Sequence, residues 1–250
     1  MNQCQKTSPS GDCTDTSRRK RVASLSALAI LVGLGQGQVQ ARDWLGMTGS
    51  EFSSDNAYVY AGVLAPIADT GFGDGWVQRY WVDWLYYEYD SGSETIEAKA
   101  PGASAAVGYT VSGSASRLTG YLGLGFRDTD LSPDDRSNNA RGSQLGAVVQ
   151  LDGETKLAGN WRGAALVSYA SADSGYWSRL RLTRHSGWVM NPGVEFVMQG
   201  NDEYDGWQAG IVGLDMKVGA GVSLGLKAGV RKTSGEDAGA YAGFEASRMW

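Results

Sequence analysis

The sequence predicts an all-β protein: an antiparallel, up-and-down transmembrane β-barrel of about 10–12 strands, following an N-terminal signal peptide. Three observations carry this. An apolar segment sits behind a basic cluster near the start of the chain. Apolar and polar residues alternate through run after run of the remainder. Trp and Tyr gather near the ends of those runs.

Arg18, Arg19, Lys20 and Arg21 form the basic cluster, and Val22 to Gly35 is an uncharged apolar stretch. Val39, Gln40 and Ala41 then place small residues at the −3 and −1 positions of a cleavage site, which is the three-part plan of a secretory signal. The stretch is shorter than the roughly 20 residues that a helix needs to cross a bilayer. The expected division is therefore 1–41 as signal peptide and 42–250 as barrel domain. Both cysteines, Cys4 and Cys13, precede the cut, so no disulfide or thiolate metal site is expected in the mature chain. The leader holds five Lys/Arg and two Asp, which leaves 17 basic and 25 acidic residues and a net charge of about −8. That balance argues against a nucleic-acid partner.

The alternation is regular. In Ser116 to Asp128, Leu118, Leu122, Leu124 and Phe126 share one parity, and Arg117, Thr119, Tyr121 and Arg127 share the other. Successive strand side chains point to opposite faces, so one face is apolar and the other polar. Val222 to Arg231, Trp188 to Gln199 and Gln208 to Val218 repeat the pattern, the last with Val212, Leu214, Met216 and Val218 assigned to the apolar face. Turn signals at Asp74-Gly75, Ser91-Gly92, Ser112-Gly113, Asp152-Gly153, Gly159-Asn160, Ser186-Gly187, Gly219 to Gly221 and Ser234-Gly235 separate the runs. The runs exceed the 5–6 residues usual in a soluble sandwich and suit the 9–11 of a tilted membrane-crossing strand. The pairing of Asp43 to Phe52 decides between ten strands and twelve.

Trp76, Tyr89, Tyr109, Trp161, Tyr169, Trp177, Trp188, Trp207, Tyr241 and Trp250 are expected to form the interfacial girdles of such a barrel. The polar parity then lines the lumen with Arg79, Asp83, Arg117, Arg127, Arg162, Arg179, Arg181, Glu195, Asp215, Lys217, Lys227, Arg231 and Glu245. In so small a barrel opposed charges are expected to pair, with a conducting or ligand-holding pore as the alternative.

Catalytic signals are weak. His185 is the one histidine and Ser186 follows it, but adjacent strand residues face opposite ways, so they make no dyad directly. The acidic segment Asp128 to Asp135 reads as a solvated hairpin loop ahead of a divalent-cation site, and Asn201 to Asp205 reads the same way. No metal or other cofactor is expected.

Several segments together resemble the cellulose biosynthesis protein BcsS family of Gram-negative bacteria, from about residue 56 to the end. They are Tyr60-Ala61-Gly62-Val63-Leu64-Ala65-Pro66, Asp74-Gly75-Trp76, the Asp130 to Asp135 loop, Tyr176-Trp177-Ser178-Arg179-Leu180-Arg181-Leu182, Pro192-Gly193-Val194-Glu195 and Gly200-Asn201-Asp202-Glu203-Tyr204-Asp205. Asn191-Pro192 and Trp207-Gln208 depart from the family pattern, which has Gly-Pro and an Arg there. The resemblance implies an outer-membrane barrel linked to cellulose or exopolysaccharide production and carries over no catalytic residues. The binding positions it singles out are Tyr176, Trp177, Arg179, Arg181, Glu195, Asn201, Glu203, Tyr204 and Asp205. The implied partners are outer-membrane lipids, the barrel-assembly machinery during biogenesis, and glucan or other components of a cellulose secretion complex. A lipid A hydrolase-like enzyme and a small passive porin are the alternatives.

Overall fold

An apolar face on every alternating run has to meet hydrocarbon or a packed centre, and the direction in which it turns decides the architecture. The computed structural model describes residues 44–67 and 71–250. The leader, both cysteines and the cut after Ala41 lie outside the described residues. Twelve strands follow in order: β1 (Leu45–Phe52), β2 (Asn56–Pro66), β3 (Gly75–Ser91), β4 (Glu94–Ser112), β5 (Ser116–Ser132), β6 (Gly142–Lys156), β7 (Trp161–Ala170), β8 (Gly175–Arg184), β9 (Asn191–Gly200), β10 (Asp205–Lys217), β11 (Val222–Thr233) and β12 (Gly239–Met249). Each pairs antiparallel with its sequence neighbours, and β1 also pairs with β12, which closes the barrel. Within the 43–52 segment, Leu45–Phe52 therefore supplies the closing strand: Gly49 stands opposite Tyr60 on one side and Glu245 on the other. Trp44 and Trp250 exchange backbone hydrogen bonds of 3.1 and 2.9 Å at the end of this seam.

The apolar parity faces out. Leu122, Leu145 and Ile211 are 66%, 71% and 69% exposed, whereas Arg79, Glu195 and Gln208 on the opposite parity are 8%, 3% and 2% exposed. A soluble sandwich would show the reverse, so this is a membrane barrel with an ionic interior. The longest strands, β3, β4 and β5, carry apolar outward residues only part of the way. On β4, Ala103, Ala105, Val107, Tyr109 and Val111 face outward, and so do Thr95, Glu97 and Lys99 nearer its hairpin with β3. That hairpin stands clear of the apolar band at the end of the barrel opposite Trp44 and Trp250, called the mouth below. Its turn uses Gly92 at φ +64°, a backbone conformation that costs glycine little.

Four sequence expectations need correction. Asp152-Gly153 is no turn: it lies inside β6, with Asp152 opposite Thr119 and Leu166. Asp128 to Ser132 is likewise strand, the last part of β5, and the loop begins at Pro133. On β10 a bulge between Gly213 and Met216, with Asp215 at φ +62°, reverses the parity, so Val212 is buried in the lumen while Met216 faces out. Finally, Tyr89, Trp177 and Tyr241 face the lumen instead of joining a girdle, because they occupy the inward parity of their strands. The outer girdle retains Trp76 and Tyr109, edge to face at 5.2 Å, and gains Trp84 and Tyr86, stacked at 6.1 Å nearer the mouth.

Inward rings need room, and glycine provides it. Tyr60, Trp81, Tyr121 and Tyr241 stand opposite Gly49, Gly62, Gly108 and Gly229, each pair directly across two strands. A Cβ added at Gly49, Gly108 or Gly229 would lie 2.7–2.8, 2.5–2.8 or 2.8 Å from the facing ring, and one at Gly62 would enter the Trp81 indole. Each ring therefore lies down on the bare backbone of its neighbour strand.

Leu122 sits midway along the outward row of β5. Leu122→Arg is expected to destabilise the folded barrel by about 2–4 kcal/mol, the cost of a guanidinium near the bilayer midplane, as read by chemical unfolding in lipid vesicles. A cost below about 0.5 kcal/mol would place Leu122 away from hydrocarbon.

Candidate functional site

The charged residues expected in the lumen lie on the inward parity, and several of them bond in groups that reach beyond the adjacent strand. Arg181 on β8 donates Nη1 and Nη2 to the two carboxylate oxygens of Glu245 on β12, at 2.8 and 2.7 Å, and Nε to Glu195 on β9. Lys227 on β11 bonds Glu51 on β1 at 2.6 Å and lies 3.9 Å from Glu195. Gln208 on β10 donates to the same Glu51. A second group lies across the barrel: Arg127 on β5 donates to Asp83 on β3 at 2.7 Å and to the Ala100 carbonyl at 3.1 Å. Arg79 on β3 donates to Gln150 on β6, with its guanidinium 6.0 Å from the Trp81 ring and 5.4 Å from the Tyr121 ring. Arg179 lies 5.3 Å from the Trp177 ring and has no carboxylate within ion-pair distance among the described residues. Buried charges are costly unless paired and hydrogen-bonded, and for Arg181, Lys227 and Arg127 these bonds supply that condition while tying distant parts of the wall together.

The mouth is crossed by the 133–141 loop. The Tyr89 hydroxyl donates to Asp135 at 3.0 Å and accepts from Asn138 Nδ2 at 2.9 Å. The Asn139 amide donates to Glu203 on the β9–β10 turn at 3.0 Å, and Arg141 holds Asp134 at 2.9 and 3.1 Å. The hydrogen bonds and charge of Arg141 hold the Asp134 carboxyl below its ordinary value, and bonds from Ser137 do the same for Asp135. The acidic segment thus anchors its own loop, and among the described residues no cluster of His, Cys, Asp or Glu suits a metal ion. Nearby, burial and a hydrogen bond with Asp55 raise the Glu236 carboxyl to about 7. Asp55 moves the opposite way: bonds from Glu236, Ser53 and Ser54 outweigh its burial.

The nine positions marked by the family resemblance fall into two groups. Trp177, Arg179, Arg181 and Glu195 point into the lumen. Tyr176 faces outward at the mouth, where its hydroxyl donates to Asp205 at 2.7 Å. Asn201 organises its own turn, accepting from the Glu203 and Tyr204 amides at 2.8 and 3.2 Å, while Glu203 receives the crossing loop. Glu51, Tyr60, Trp81, Asp152 and Gln208 also line the lumen and were not singled out, although strand parity marks each of them. His185 is exposed at the far end from the mouth, and Ser186 Oγ is directed to the Met190 carbonyl at 3.1 Å.

A closed antiparallel barrel, apolar outside and ionic within, defines an outer-membrane β-barrel protein. Solved structures of that class share the fold. The COG4313 outer membrane channel from Pseudomonas putida F1 aligns with a TM-score of 0.55 at 10% identity, over 85% of this chain and 97% of that one. The β-domain of the Bordetella autotransporter BrkA aligns with 0.51 at 14% identity, over 84% and 99%. No curated protein sequence matches the chain. The family model of cellulose biosynthesis protein BcsS matches residues 46–250, and the chain belongs to that family. Its place is the outer membrane.

Two outcomes are expected from the charges. Arg181→Met strands Glu195 and Glu245 in the wall and is expected to cost about 3–5 kcal/mol in chemical unfolding, with part recovered when both glutamates become glutamine. The second concerns Glu236. A carboxyl whose folded value exceeds its unfolded one stabilises the folded arrangement at low pH and loses that contribution as pH rises through the folded value. The β11–β12 loop is therefore expected to open more at pH 8 than at pH 5.5. Hydrogen exchange at the Ser234 and Glu236 amides, corrected for intrinsic rates, should show this, and Glu236→Gln should flatten it.

Proposed function

We propose that the protein is a non-catalytic outer-membrane accessory of cellulose or related exopolysaccharide production and secretion. Its partners there are the surrounding lipids and components of the secretion complex or the glucan itself. The observation that supports this most is that the family match runs through the whole barrel, from β1 to the end of β12, so the barrel itself is the family's working part. The interior chemistry agrees. Arg181 with Glu195 and Glu245, and Lys227 with Glu51, are bonded to one another across the wall. A lipid A hydrolase-like enzyme would need His185 beside a serine and a carboxylate, and the neighbouring Ser186 hydroxyl is directed into its own turn. We infer further that residues 1–41 are a signal peptide removed on export, leaving 42–250 as the barrel.

Deletion of the gene, with complementation, tests the reading. Extracellular cellulose is expected to fall in the deletion strain and to recover with the restored gene, while intact-cell lipid A stays unchanged. The complementing protein should be recovered from the outer membrane with Arg42 as its first residue. Unchanged cellulose in the deletion strain would overturn the accessory role, and an altered lipid A would favour the enzyme.

A further inference from the structure

The lumen wall formed by β2 and β3 differs in kind from the rest. Going inward from the mouth, the inward positions of β3 are Tyr89, Tyr87, Leu85, Asp83 and Trp81. Where β3 offers no ring, β2 does: Tyr58 stands opposite Leu85, and Tyr60 opposite Asp83. Every inward level from Tyr89 to Trp81 therefore has an aromatic side chain on one strand or the other. The eight-residue separation corresponds to about 26 Å of wall at the usual strand rise. Neighbouring rings are close, at 6.0 Å for Tyr87 and Tyr89, 5.7 Å for Tyr58 and Tyr60, and 4.7 Å for Tyr60 and Trp81.

Lipid contact explains none of these rings, since they lie on the face turned away from hydrocarbon. Their orientation matters as well. Trp81 rests on Gly62 and Tyr60 on Gly49, and the two rings lie within 13° of parallel. Tyr60 and Trp81 stack on one another beside these glycines, so the stripe holds its rings close together along the wall. Polar groups flank it: the Asp83–Arg127 pair on one border, and Arg79 with Gln150 beyond Trp81. The Nε of Arg79 is buried and has no hydrogen-bond partner.

We propose that this stripe is a binding track for an extended, neutral, β-linked glucan chain. In such a chain all the ring substituents are equatorial. The pyranose faces then present only axial C–H groups, which suit flat aromatic faces, and the hydroxyls point sideways toward the flanking charges. An extended ribbon of this kind can follow a continuous run of rings about 26 Å long, whereas a coiled α-linked chain curves away from it. The track names the ligand of the accessory role proposed above and rests on that reading for the choice of polysaccharide.

The test uses the full barrel refolded in detergent, with cellohexaose as probe and maltohexaose as comparison, followed by titration calorimetry. Cellohexaose is expected to bind at least ten-fold more tightly than maltohexaose. Trp81→Leu and, separately, Tyr58→Leu should weaken it at least ten-fold, while the outward Trp76→Phe leaves it unchanged. Heat-modifiable gel migration checks that each variant is folded, and the Tyr58 variant decides the matter if the Trp81 variant does not fold. Absence of cellohexaose binding, equal binding of both sugars, or binding indifferent to the folded stripe variant would each overturn the track. The accessory role fails separately. If the deletion lowers cellulose and a binding-deficient, folded variant restores it fully, the accessory role stands and the track falls. If the deletion changes nothing while the stripe still binds cellohexaose, the track stands and the accessory role falls.

Discussion

Hydrocarbon offers a backbone no hydrogen-bond partner, and the rest of this structure answers to that constraint. A sheet of twelve strands has two edges, and each would strand a row of amide and carbonyl groups in lipid. Pairing of Leu45–Phe52 with Gly239–Met249 removes both edges at once. Closure then forces the two-residue period to choose a side. The outer parity must be apolar because it touches lipid, so every ionisable residue in the crossing part of a strand is driven inward. Confinement in turn forces pairing, since an isolated charge against the wall would be expensive. The Arg181, Lys227 and Arg127 groups follow from closure as much as from any function.

Confinement also limits volume. Inward side chains from twelve strands compete for one bore, and the sequence relieves the crowding by placing glycine opposite four of its inward rings. The four aromatic–glycine pairs keep large side chains against the wall where bulkier partners would push them across the bore. The lumen therefore divides by chemistry around its circumference. The β8–β12 arc with β1 is ionic and internally bonded, the β2–β3 arc is aromatic, and the 133–141 loop reaches across the mouth to Glu203.

Much of this was legible in the sequence because the controlling signal is local. Parity alone assigned Arg79, Asp83, Arg127, Arg181, Glu195 and Glu245 to the lumen, and every one of them faces it. The same signal failed where local rules compete. Asp152-Gly153 has the composition of a turn but is held in β6 by partners on both sides, which only pairing can reveal. The bulge at Asp215 inserts a residue, so Val212 and Met216 share a parity in the sequence but not in space. Tyr89, Trp177 and Tyr241 were read as girdle because aromatic residues near strand ends suit an interface, although their parity with Glu195-type residues already placed them inside. Which lumenal charge meets which was not readable. Arg181 and Glu245 are 64 residues apart, and their contact depends on the curvature of the closed barrel.

The family resemblance and the geometry bear on function in different ways. The family match identifies a process, cellulose production, and leaves the physical task open. Structures that share the fold at 10–14% identity leave it open too, because one barrel serves channels and autotransporter domains alike. The wall of this barrel is asymmetric, ionic on one side and aromatic on the other. A lumen built only for mechanical stability would need its charges paired, and the Arg181, Lys227 and Arg127 groups pair theirs without any of the aromatic rings. The rings of the aromatic arc form no ion pairs themselves, face away from lipid, and at Tyr60 and Trp81 sit beside glycines on β1 and β2. Those glycines are themselves costly in strands, where they weaken packing and raise the entropy lost on folding. A wall that accepts this cost beside Tyr60 and Trp81, within a run of inward rings about 26 Å long, is better explained by a guest than by its own stability.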